Sequence, residues 1–106
     1  MSLPEAKYRL EFLSGVLEQL RSWASTAAGY GMGPDFADVL EEFRVELTMN
    51  PTAWGDPAFN FSALKLVIYR RYGRILQVEY AVHETETVVI VRSVVLTRGT
   101  MPYDLW

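Results

Sequence analysis

Few side chains in this 106-residue sequence are equipped for covalent or metal chemistry. There is no cysteine, and His83 is the single histidine. Thiolate nucleophiles and disulfides are excluded, and a histidine-built metal cluster is implausible. Three patterns remain. Asp38, Glu41, Glu42 and Glu46 bring carboxylates close together, as an acid/base pair or a metal site would. Their spacing is also that of a solvated helix face, the commoner arrangement. Gly29, Gly31 and Gly33 resemble a phosphate-cradling loop. Their spacing matches neither a P-loop nor a dinucleotide fingerprint, no strand precedes them, and a helix–helix connector is expected. The third pattern is cationic. Residues 1–59 hold 4 Lys/Arg against 9 Asp/Glu, whereas residues 60–106 hold 6 against 4. A phosphate-bearing partner would prefer the second half, although the net charge of −3 is far from that of a typical nucleic-acid-binding domain. His83 lies beside a turn and is expected to be a solvated surface residue.

The element that must position those cations is the run from Leu64 to Thr97, which reads as three β-strands. Val, Ile, Tyr and Leu dominate it, and such residues fit a pleated surface. Arg71-Tyr72-Gly73 suits a three-residue hairpin loop closing on a left-handed glycine. That register pairs Leu64 with Tyr80, Leu66 with Val78 and Ile68 with Leu76. A second turn at Glu84–Thr87 pairs Val82 with Val89, Tyr80 with Val91 and Leu76 with Val95. One face is then apolar across all three strands, and Lys65, Glu79 and Arg92 form a charge row on the other. Val67, Tyr69, Ile75, Val88, Ile90, Val94 and Leu96 fall on that second face too. It is more apolar than a solvated face, so the C-terminal tail, a second subunit or a partner protein is expected to cover it.

What precedes the sheet supplies a roof. Lys7–Phe12 alternates polar and apolar residues, so Tyr8, Leu10 and Phe12 face inward from a strand. Ser14 offers an N-cap to a helix whose stripe is Leu13, Val16, Leu17, Leu20, Trp23, Ala24 and Ala27. Asp35 caps a second helix, buried through Phe36, Val39, Leu40, Phe43 and Leu47, which Asn50-Pro51 terminates. Trp54 is expected to plug the edge of the core inside a turn-rich link, Trp54-Gly55-Asp56-Pro57. The tail from Arg98 to Trp106 is too Pro-broken for a stable helix and too apolar to remain in water. Half of the residues are hydrophobic, which excludes a disordered chain. The expectation is one domain over residues 1–106: α+β, strand-helix-helix-three strands, a helical hairpin on one face of a mainly antiparallel four-stranded sheet. The apolar runs fall far short of a bilayer span and no signal-peptide pattern is seen, so the expected compartment is the cytoplasm, with no membrane partner.

That order, with these residues, resembles the RelE/ParE superfamily of type II toxins. The likeness rests on the strand Tyr8–Phe12 running into a helix, on Asn50-Pro51 followed by Trp54-Gly55-Asp56-Pro57, on the hairpin Tyr72–Val82 ending in Tyr80-Ala81-Val82, and on a last strand Val88–Leu96 leading to Arg98. Together these cover nearly the whole chain. The resemblance implies cleavage of mRNA on the ribosome or inhibition of DNA gyrase, with an antitoxin wrapping the toxin. It nominates Lys65, Arg74, Arg98 and Tyr103 as catalytic candidates. Arg74 and Arg98 would stabilise charge on the phosphorane, and Tyr103 would serve as acid or base with a lowered pKa. No cofactor or metal is implied. Members that cleave RNA are strongly basic and this chain is acidic, and its Arg98–Tyr103 segment differs from the usual tail. Each candidate therefore has a plainer alternative: Lys65 and Arg92 flanking Glu79, Arg70, Arg71 and Arg74 as turn charges, Tyr103 as packing. Two functions stay open, a toxin acting on RNA or gyrase and a non-catalytic partner-binding domain that dimerises through the second sheet face.

Overall fold

A computed structural model describes residues 7–83 and 85–97 of the chain. The elements run β1 (Arg9–Phe12), α1 (Val16–Gly29), α2 (Gly33–Met49), α3 (Pro51–Trp54), β2 (Asp56–Phe61), β3 (Leu66–Tyr72), β4 (Leu76–His83) and β5 (Val88–Leu96), with a 3-10 turn at Ser62–Leu64. The strands form one sheet in the order β1-β5-β4-β3-β2. β1 pairs parallel to β5 and the other neighbours are antiparallel. The α+β class and the helical hairpin are as expected, with one strand more.

The helices form where apolar residues recur at helical spacing. α1 buries Val16, Leu20 and Ala27, and α2 buries Phe36, Phe43 and Leu47. Both pack on Val78, Tyr80, Val82, Val89 and Val91 of the central strands. Tyr80, Phe36 and Leu47 are among the largest fully buried side chains, each contributing about 1.5–3 kcal/mol through apolar area removed from water. The helix starts differ from expectation. Ser14 makes no cap; α1 begins after Gly15, whose φ of 87° is left-handed. α2 begins at Gly33, with Pro34 and Asp35 in its first turn, because proline's fixed φ suits that position. At its far end the Thr48 carbonyl accepts from the Lys7 and Tyr8 amides at 2.9 and 3.0 Å, which aims the entry to β1.

The first hairpin corrects the expected register. Leu66 pairs with His83, Ile68 with Ala81, Tyr69 with Tyr80, Arg70 with Glu79 and Tyr72 with Gln77. Ile68 thus meets Ala81 instead of Leu76, five positions away. An odd shift turns the strand over. Val67 and Tyr69 now face the helices, while Leu66 and Ile68 face away. The cause lies in the turn. Tyr72 stays in β3 and the connection is Gly73–Ile75, closed by the Gly73 amide donating to the Leu76 carbonyl at 2.9 Å. A Cβ on Gly73 would stand 2.6 Å from that oxygen, so glycine is needed there.

The second hairpin keeps Val82 opposite Val89 and Tyr80 opposite Val91. The register then shifts between Glu79 and Tyr80, so Leu76 meets Leu96 and not Val95. This β-bulge returns Val94 and Leu96 to the helix side and leaves Val95 55% exposed. The strand not foreseen is β2. All six of its residues are exposed, and it forms the edge beyond β3.

Candidate functional site

Two regions collect the polar side chains. The first is a cleft at the turn end of β3 and β4, a cavity of about 440 Å³. Asp35, Asp38 and Glu42 of α2 line one wall and Arg71 and Arg74 of the hairpin the other, over apolar side chains that include Phe43, Ile75 and Leu76. The carboxylates of α2 are therefore not all one outer face. Asp38 and Glu42 turn to the cleft. Glu41 turns out and pairs with Arg44 at 2.7 Å, whose guanidinium holds the Glu41 carboxyl below its ordinary range by hydrogen bonding and charge. Trp54 closes the inner end. It meets Phe43 edge-on at 6.1 Å between centroids and Tyr80 at 5.9 Å, and the Arg71 guanidinium lies 5.5 Å over its ring while donating to the Trp54 carbonyl at 3.3 Å. The expected plug is thus also a platform that holds Arg71.

The second region is the sheet face turned away from the helices. Glu79 accepts from Arg70 at 3.1 Å and from Arg92 at 2.9 Å. The row expected as Lys65–Glu79–Arg92 is therefore Arg70–Glu79–Arg92, with Arg92 supplied by the bulge. Arg70 is further fixed by the Phe59 ring, 5.4 Å from its guanidinium carbon. Beside the row Leu13, Phe61, Leu64, Leu66, Ile68, Ala81 and Ile90 line an apolar groove of about 260 Å³. Phe59, Phe61 and Leu64 are 53, 48 and 63% exposed.

The nominated residues do not gather at one point. Arg74 sits on the rim of the cleft and makes no hydrogen bond or ion pair among the described residues. Lys65 follows the 3-10 turn with a left-handed φ of 55°, at the far end of β3. The seven residues of β3 separate the two, roughly 23 Å at about 3.3 Å per residue, so one phosphate cannot touch both. Arg98 and Tyr103 lie outside the described residues. The chain reaches them from the cleft's edge, where Thr97 donates its amide to the Ile75 carbonyl at 2.8 Å and its hydroxyl to the Gly73 carbonyl at 2.9 Å. His83 is not simply solvated: its Nδ1 accepts from the Glu86 amide at 3.0 Å and so belongs to the turn. Sequence reasoning missed Arg70 as a partner of Glu79. The signal was present in the spacing of Arg70 and Glu79 about Gly73, given a turn placed two residues later.

Among the described residues no group of three or more His, Cys, Asp or Glu is placed to hold a metal ion, and no helix is long and apolar enough to cross a membrane.

No family model matches the sequence, and neither does any curated protein. Solved structures do match in shape. A chain of the toxin–antitoxin complex RelBE2 from Mycobacterium tuberculosis superposes with a TM-score of 0.58 at 15% identity, over 91% of this chain and 98% of that one. A chain of the archaeal RelE–RelB complex from Pyrococcus horikoshii OT3 superposes with a TM-score of 0.57 at 21% identity, over 90% and 99%. The superpositions span nearly the full length of both chains, and the chain has the RelE-like fold.

Proposed function

We propose that this chain is the toxin-like component of a type II toxin–antitoxin module, held by an antitoxin protein and acting on mRNA at the ribosome or on DNA gyrase. The observation that carries this is its near-complete coverage by chains of two toxin–antitoxin complexes. Two features of the chain support it. Arg74, without an ion pair among the described residues, stands at the rim of a cleft where its neighbour Arg71 is already held on Trp54. β5 ends beside this rim, with Thr97 bonded to Ile75 and Gly73, and Arg98 and Tyr103 follow it in the sequence. In the mRNA form of the proposal, Arg74 and Arg98 bind the phosphate and Tyr103 manages the proton of the attacking 2′-OH. Lys65, at the other end of β3, then serves the path of the strand and not the scissile phosphate.

Tightly controlled expression tests the proposal. Growth arrest relieved by Arg74→Ala or Arg98→Ala is the expected result, with truncated transcripts for the mRNA target or relaxed plasmid for gyrase. Normal growth at high expression would overturn it.

A second reading is favoured by one observation, the exposed apolar face around Phe59, Phe61 and Leu64. In it the chain is a non-catalytic domain of the same fold that binds a partner or a second copy through that face. Here Arg70 and Arg92 are consumed by Glu79 and do not offer free charge to phosphate. Its test is the mass in solution.

A further inference from the structure

We infer that two copies of this chain associate through their β2 edges, antiparallel about a two-fold axis at Asn60, so that the two five-stranded sheets become one. The inference deepens the dimerising reading above and rests on it.

The sheet has two edges, and they are not alike. β1 carries Arg9 and Glu11, which pair at 3.4 Å, and its entry is tied to Thr48. Charges of this kind block edge-to-edge addition. β2 has β3 on one side and, among the described residues, no strand on the other. Its outward backbone groups have no partner among the described residues. Its protective devices, Asp56, Pro57 and the register shift before Phe59, all lie at one end. The remaining segment, Phe59-Asn60-Phe61, has no charge, no proline and no bulge, and both its aromatics are about half exposed.

That segment is self-complementary. Phe59 stands opposite Ile68 and Phe61 opposite Leu66, so both rings lie on the face away from the helices. A two-fold axis at Asn60 sets Phe59 beside Phe61 of the partner subunit, and Phe61 beside Phe59 of the partner subunit. Aromatic pairs of this kind stabilise neighbouring strands. The apolar groove of Leu66, Ile68, Ala81 and Ile90 then continues across the join. The charges match as well. Asp56 opens β2, and the exposed Lys65 follows its far end beyond the 3-10 turn; neither makes an ion pair among the described residues. Antiparallel pairing brings Asp56 towards Lys65 of the partner subunit, twice. An isologous contact satisfies both copies with one surface, whereas the strand of an unrelated protein has no such built-in match. With about three paired residues on each side the association is weak and depends on concentration.

The full chain contains no cysteine, so introduced cysteines report without interference. Opposed residues of an antiparallel pair have Cα atoms about 4.5–5.5 Å apart, within disulfide range. Asn60→Cys is therefore expected to form a disulfide-linked dimer under mild oxidation, while Val95→Cys, on the open face of β5, is not. Sedimentation of the unmodified chain should show a dimer that dissociates on dilution. Asn60→Lys sets two like charges directly opposite each other on the axis and should raise the dissociation constant about tenfold or more, with an unchanged circular dichroism spectrum, since Asn60 is exposed. Cross-linking through Val95→Cys but not Asn60→Cys would overturn edge pairing and leave a face-to-face dimer. A monomer at every concentration, including one that binds only a different protein, would overturn the dimerising reading itself.

Discussion

The Tyr80 hydroxyl donates to the Pro51 carbonyl at 2.5 Å, joining the middle of the sheet to the point where α2 gives way to α3. Tyr80 is fully buried and Pro51 is buried with it. Tyr80→Phe keeps the ring and removes the donor, leaving a buried carbonyl unsatisfied. The expected cost is about 1–3 kcal/mol in denaturant unfolding.

The same phenol gives a pH signature. Burial pushes its pKa well above the ordinary 10.0. Above that ordinary value the unfolded chain loses a proton that the folded chain keeps. Stability is thus fully present below about pH 10 and declines as pH rises towards the folded pKa. Unfolding midpoints should fall on the alkaline side more steeply for the native sequence than for Tyr80→Phe. Parallel slopes would assign the alkaline loss to other groups.

Gly55 is set tightly against the same residue. A Cβ there would lie 2.7 Å from the Tyr80 hydroxyl oxygen and 3.0 Å from the Arg70 carbonyl. Its φ of −113° is open to any residue, so the obstacle is space and not backbone conformation. Gly55→Ala should cost about 1–3 kcal/mol, as overpacking does, visible as a lower melting temperature. The control is Gly29→Ala, which meets nothing within 4 Å.

The charge row is tested by double-mutant cycles. Arg70 with Glu79, and Arg92 with Glu79, should each show a coupling of about 0.2–1 kcal/mol, reduced by added salt, since these side chains are part exposed. Lys65 with Glu79 should show none, because Lys65 lies outside β3. A measurable Lys65–Glu79 coupling would return the hairpin to its other register.

Gly15 opens α1 with φ of 87° and open space around it. Gly15→Ala should therefore cost only the left-handed penalty, roughly 1–2 kcal/mol, read as a shift in the chemical denaturation midpoint without change in its slope.

The helices and β1 were legible because their periodicities are unambiguous: Phe36, Phe43 and Leu47 can share only one helix face, and Tyr8, Leu10 and Phe12 only one strand face. The first hairpin was not, because β3 is apolar on both sides. Leu66 with Ile68, and Val67 with Tyr69, each make an acceptable inner face, so hydrophobic pattern could not choose between registers, and the turn around Gly73 decided. Beyond the second turn the pairing held as far as Tyr80 opposite Val91 and failed where Arg92 bulges, which no local composition announces. β2 was invisible for a different reason: Asp56-Pro57-Ala58-Phe59-Asn60-Phe61 is exposed throughout and has no buried face to write into an alternating pattern. At the candidate site, Arg74 was found on position alone. The partnership of Arg70 with Glu79 needed the register, and the cleft wall of Asp35, Asp38 and Glu42 needed the helix set against the hairpin.

The parallel pairing of β1 with β5, Arg9 against Val88 and Phe12 against Val91, joins segments from opposite ends of the described chain. During synthesis, then, β1 leaves the ribosome well before β5 and waits, unzipped, for it. The β3–β4 hairpin closes early through near neighbours, whereas the outer seam closes only after a long loop has been gathered in, a step that slows assembly. Until that moment β1 lacks its hydrogen-bonding partner, and its core contacts are limited to those with the helices, such as Phe12 on Phe43.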